Sequence, residues 1–164
     1  MSVSGALQNT GGGSILRYKD RQYVANTAKR GDIDYDRPVR AVYIPVIRSS
    51  MYDVFQAFDL PDPSSSNGDR DSTVVAPQAL FMMNSSIMLR HSRAMAESLP
   101  SADDKTRIRA AYERALGRLP TTAETDDALT FVHRIKNEWQ GDSAKAWQSF
   151  CKSLLASSEF IYIN

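Results

Sequence analysis

Asp59, Asp62, Asp69 and Asp71 crowd around Arg70 within one polar stretch, residues 59–76, DLPDPSSSNGDRDSTVVA. Carboxylates at that density can hold a cation, and a guanidinium among them can hold an anion or a sugar hydroxyl. Asp62, Ser64 and Ser66 fall at the first, third and fifth ligand positions of a calcium loop. The pattern then breaks: the glycine comes one place late, and Thr73 stands where a bidentate glutamate would close the cage. The simpler reading has Arg70 tying the loop to itself through carboxylates or backbone carbonyls. If the site is a cleft instead, Arg48, Asp59 and Arg70 are the residues to converge there on an anionic or sugar substrate.

The other reactive residues carry less. Cys151 is the lone cysteine, so neither an intrachain disulfide nor a cysteine metal cluster can form. It stands in an apolar stripe, the setting of a buried, inert thiol. His91 and His133 lack the spacing of a paired metal site, and no metal site is expected. His91 reads as part of a polar helix face and His133, beside Arg134, as exposed. Gly11-Gly12-Gly13-Ser14 lacks the Lys-Ser/Thr of a phosphate-cradling loop, and no nucleophile elbow, H-E-x-x-H or G-x-G-x-x-G occurs.

The elements that would position these residues fall in three zones. Residues 1–39 read as an irregular N-terminal segment, the end of an upstream region, with a small hairpin around Lys19-Asp20. Next, Val42, Ile44 and Val46 alternate with Ala41 and Tyr43 and predict a strand, which Pro45 confines to a sheet edge. Ser50 then caps a short helix whose inner face is Met51, Val54, Phe55 and Phe58. Asn67-Gly68 marks a turn in the long polar loop.

The third zone is helical. Pro77 suits a first helical position, Asn84-Ser85 interrupts, and Ser85 caps a helix over 86–99. Pro100-Ser101 opens the next, striped by Ile108, Tyr112, Ala115 and Leu116 and stopped by Gly117. Lys105, Arg107 and Arg109 beside Asp103 and Asp104 read as its solvated face. Thr121 and Glu124 form a capping box for a helix with Ala128, Val132, Ile135 and Trp139 inward. Gly141-Asp142 begins the last, with Trp147, Phe150, Cys151, Leu154 and Leu155 inward, and FIYIN closes as an extended end. The fold class is therefore mainly α: a compact domain of about five to six helices, with a short β element near residues 41–47 able to pair with 160–163. Its bounds are 40–164.

Bulk properties narrow the function. With 42% hydrophobic and 24% charged residues in 164, the chain can bury an ordinary core and is not a disordered tail. A net charge of +1 with interleaved signs gives no basic stripe, so nucleic acid is not the expected partner. No apolar run reaches the roughly 20 residues of a membrane span. MSVSGALQNTGGGS has neither the basic leader nor the apolar core of a signal peptide.

Five motifs, in order, carry a resemblance: VYIPVIR, FDLPDPS, NGDRDSTVVAPQALFMMNS, AYERALGRLPT, and a closing Trp147-x-x-Phe150-Cys151 with SSEFIY. From about Arg40 to Asn164 the chain resembles the planctomycete-type domain of unknown function numbered fifteen-fifty-three. That resemblance implies the C-terminal module of a large secreted or periplasmic bacterial protein, preceded by other domains. A c-type haem would belong to an upstream cytochrome-like domain, with no cofactor in this chain. The expected role is structural or interactive, packing on those upstream domains. The competing expectation is an enzyme or redox site completed by them and acting on carbohydrate. The matched positions Arg48, Asp59, Asp62, Arg70, Gln78 and Asn84 are the candidate ligand or domain contacts, and no catalytic residue is assigned. Direct sugar binding would need aromatic platforms, for which Tyr43, Tyr52 and Trp139 are the candidates.

Overall fold

Short polar side chains start the helices. A helix leaves its first N–H groups without internal partners, and a preceding Ser, Thr or Asp oxygen accepts from one of them. In a computed structural model, describing residues 1–9, 35, 37–44, 46, 51–58, 60 and 75–162, this happens at five successive starts. The described residues hold seven α-helices: α1 (Asp53–Ala57), α2 (Val75–Asn84), α3 (Ser86–Glu97), α4 (Asp104–Leu116), α5 (Thr122–Glu138), α6 (Ser143–Leu155) and α7 (Ser158–Ile161), of which the last five carry these caps. Ser85 accepts from Met88 N at 3.3 Å, Asp103 from Thr106 N at 2.8 Å and Asp142 from Lys145 N at 3.0 Å. The Thr121–Glu124 capping box closes reciprocally, at 3.2 and 2.7 Å. Gly117, at φ 68°, supplies the left-handed residue that ends α4.

The chain divides into two units, Met1–Ala6 with Met82–Asn164, and Leu7–Phe81. In the first, α3 packs on α6, α6 also on α5, and α4 on both α5 and α6. Met95, Ile108, Val132 and Cys151 are fully buried where these helices meet. Burying such an apolar side chain is worth about 1.5–3 kcal/mol each. Phe150 sits edge-on to Trp147 at 5.8 Å and tilted against Tyr112 at 6.4 Å. The N-terminal turn is tied to α3 by Ser4, whose Oγ donates to Met1 O at 2.8 Å and lies 2.9 Å from His91 Nδ1. With the one hydroxyl proton directed at Met1 O, His91 Nδ1 is the donor in that contact.

The second unit is an aromatic cluster. Tyr52 stacks on Tyr35 at 4.8 Å and meets Phe55 edge-on at 5.5 Å, and Phe58 meets Phe81 edge-on at 6.1 Å. Val39 and Ile44 are buried there, and Gln8 N donates to Pro38 O at 2.7 Å.

The mainly helical expectation holds, with seven α-helices rather than five to six and no strand among the described residues. Residues 41–43 form a 3₁₀ turn, not a strand, closed by Tyr43 N to Arg40 O and Ile44 N to Ala41 O. These bonds satisfy the backbone locally, and Val42, 81% exposed, buries nothing by alternation. Of its expected partner at 160–163, Phe160 and Ile161 belong to α7 instead, while Tyr162 is extended and residue 163 lies outside the described residues. Ser157 caps α7 with Glu159 in the first turn, a start signal that outweighs the β-formers after it. α2 begins by Val75 rather than at Pro77, and α4 begins after Asp103 rather than at Pro100-Ser101. His91, expected on a polar face, is 6% exposed because Ser4 covers it. Trp139, expected in the core, is 51% exposed because it is the residue on which α5 unwinds. The cap expected at Ser50 falls elsewhere: α1 starts at Asp53 with Tyr52 at the cap position and no side-chain cap. The Lys19-Asp20 hairpin lies outside the described residues.

Candidate functional site

The C-terminal half of α3, the connection into α4, and the start of α6 enclose a cleft of about 620 Å³ within the first unit. Volumes of a few hundred Å³ with a few placed polar groups are those of small-ligand sites. Arg93 and Glu97 come from α3, Leu99, Pro100 and Ala102 from the connection, Arg107 from α4, and Asp142, Lys145 and Trp147 from the start of α6. Trp147 is buried and forms the floor of the Arg107 side: the guanidinium carbon lies 4.0 Å from its ring centroid. A cation over an indole face is attracted by the ring quadrupole.

The charges are unequal in their partners. Arg93 Nε pairs with Glu97 Oε1 at 2.8 Å, and that contact raises the Arg93 pKa. Asp142 caps α6 and meets Lys145 Nζ at 3.4 Å. The Lys145 N–H, ahead of the other causes, holds the Asp142 carboxyl below its usual range. Lys145 Nζ also lies 4.5 Å from the Trp139 ring centroid. Arg107 has no carboxylate: its Nε is buried without a hydrogen-bond partner, and it forms no ion pair with a described residue.

A second charged cluster is committed to the fold. Arg118 grips Glu124 and Glu159 together and lies 5.5 Å from the Tyr112 ring centroid. Glu124 is pulled from 4.5 to about 2, first by Arg118 and then by the Thr121 N–H. Burial pushes the Cys151 thiol up to about 12, so it is no nucleophile. His133 Nε2 meets Asp104 Oδ2 at 3.1 Å on an open surface, with no nucleophile between them. Among the described residues no three His, Cys, Asp or Glu side chains gather as a metal site, and no helix is long and apolar enough to cross a membrane.

The residues singled out from sequence do not build this cleft. Gln78 is buried on α2 and Asn84 is exposed at its last position, while Arg48, Asp59, Asp62 and Arg70 lie outside the described residues. Of the aromatic platforms, Tyr52 is buried under Tyr35, Tyr43 is part-exposed, and Trp139 is open beside Lys145. Arg107, read from sequence as solvated surface, instead lies on Trp147 at the edge of the core. Its one sequence signal is its place beside Ile108, the fully buried residue of the α4 stripe.

A surface on α2 is also distinctive. None of its ten residues, VAPQALFMMN, is charged, yet Leu80 is 61% and Met83 55% exposed.

The family model described as PSD1, protein of unknown function (DUF1553), matches residues 1–132. The chain belongs to this family. The match takes in α1 to α4 and most of α5, including Arg107 and the Arg118–Glu124 pair. Trp147, Lys145 and Glu159 lie beyond it. Neither the curated proteins nor the solved structures hold a match to the chain.

Proposed function

We propose that this PSD1 chain is a non-catalytic interaction module that packs, through α2, on another domain of a larger secreted bacterial protein. The observation that carries this reading is the uncharged α2 with Leu80 and Met83 in solvent. A helix apolar around its circumference is normally buried, and here Leu80 and Met83 stay more than half exposed. The titratable groups support the same reading, since Arg118, Glu124, Glu159 and Cys151 are spent on holding helices together. The partner would be an upstream domain, and any c-type haem would belong to that domain.

Hydrogen exchange of the full-length parent, set beside this chain alone, tests the reading. Slower exchange over residues 75–84 in the parent is expected, and equal exchange in both overturns it. Leu80→Glu with Met83→Glu removes that protection while leaving the melting temperature of this chain alone unchanged.

A further inference from the structure

Among the described residues, Arg107 is the one cation lining the α3–α4–α6 cleft without a counter-charge. Arg93 is matched by Glu97 and Lys145 by Asp142, so three lining cations face two lining carboxylates. One positive charge is left over, on Arg107. Its face lies against Trp147, 4.0 Å from the ring centroid, and its Nε is buried without an acceptor. Stacking covers the plane of a guanidinium and leaves its edge, where the N–H donors form the fork that fits a carboxylate. Leu99, Pro100, Ala102 and the Trp147 ring supply apolar lining to the same cleft.

We propose that this cleft binds a monocarboxylate carrying an apolar body, with the carboxylate on the edge of Arg107 and the body against Leu99, Pro100 and Trp147. A single negative charge cancels the surplus. A dianion such as phosphate would meet Glu97 and Asp142 with a charge they cannot offset. A neutral body without the carboxylate leaves the buried Arg107 Nε and its neighbouring donors unpaired. The site is independent of the packing surface on α2, and either proposal can fail without the other.

Titration of the whole chain with benzoate, benzamide and inorganic phosphate, followed through the Trp147 indole N–H resonance, tests the assignment. Saturable benzoate binding is expected, with benzamide and phosphate each about tenfold weaker or worse. A short peptide ending in a free apolar C-terminal residue, run against its C-terminal amide, separates the two sources of the carboxylate. Binding by the free-ended peptide alone keeps the carboxylate and assigns it to a polypeptide. Arg107→Gln abolishes benzoate binding, and Arg107→Lys, which keeps the charge but not the fork, weakens it. Equal binding of benzoate and benzamide to the unmodified chain overturns the proposal without any variant, so it stays testable if Arg107→Gln fails to fold. Phosphate binding tighter than benzoate overturns the ligand class, and unaltered benzoate binding by a folded Arg107→Gln overturns the site.

Discussion

Glu124 faces Arg118 with both carboxylate oxygens, Oε1 accepting from Nη2 at 2.7 Å and Oε2 from Nη1 at 2.9 Å. The same Oε2 accepts from Thr121 N at 2.7 Å, so one side chain closes the capping box of α5 and anchors the end of α4. Arg118 also donates to Glu159 of α7, through Nη2 at 2.8 Å. Three helices are therefore joined at one guanidinium. The AYERALGRLPT motif contains Tyr112, Arg118 and Thr121, and its role in this fold is to build that joint.

Acid weakens this joint before it weakens the core. A carboxyl with a lowered folded-state pKa contributes stability above its ordinary value and loses it as pH falls through the folded value. For Glu124 the window runs from 4.5 down to about 2. Glu159, Asp103 and Asp142 are also lowered and act in the same direction. The melting temperature of the chain is expected to fall across that window. Glu124→Gln melts lower at neutral pH and declines less steeply in acid, and an acid slope identical to that of the unmodified chain would sink the assignment.

Cys151 is expected to be silent towards thiol reagents. Burial among α6 and its neighbours raises its pKa to about 12, with Arg107 and Arg114 offsetting only part of that rise. At mildly alkaline pH almost none is thiolate, and the sulfur is closed to solvent. A disulfide reagent such as DTNB added to the native chain gives no prompt absorbance, then one equivalent on unfolding. Prompt labelling of the native chain would contradict the buried placement.

What could be read from the sequence was local. Ser85, Thr121 with Glu124, and Gly117 act on backbone groups within four residues, so their types and spacing alone mark helix ends. Ile108, Tyr112, Phe150 and Leu154 were legible from helical periodicity, because burial selects one face of a helix. Periodicity misplaced Trp139, since it assumes the helix continues and α5 unwinds at that residue. It also misplaced 41–43, where apolar alternation meets a turn that satisfies its own backbone bonds. Beyond the place of Arg107 beside Ile108, the Arg107–Trp147 pair was not legible in sequence. An unmatched charge is visible only when the partners of Arg93 and Lys145 are known, and those depend on how α3, α4 and α6 pack.

Gly117 supplies the last prediction. Its φ of 68° is one that a side chain makes costly, yet a Cβ built there meets nothing within 4 Å. The cost of Gly117→Ala is therefore backbone strain without a clash, about 1–2 kcal/mol. Gly117→Asn costs less, because asparagine tolerates the left-handed region. Urea unfolding of the three proteins is expected to rank them Gly, Asn, Ala in falling stability, with equal slopes. The turn also places Arg118, the next residue, where it reaches both Glu124 and Glu159. If alanine relieves its strain by turning the chain away, that joint opens and the loss exceeds the backbone cost. The excess then disappears in a Glu124→Gln background, whereas pure backbone strain adds to it unchanged.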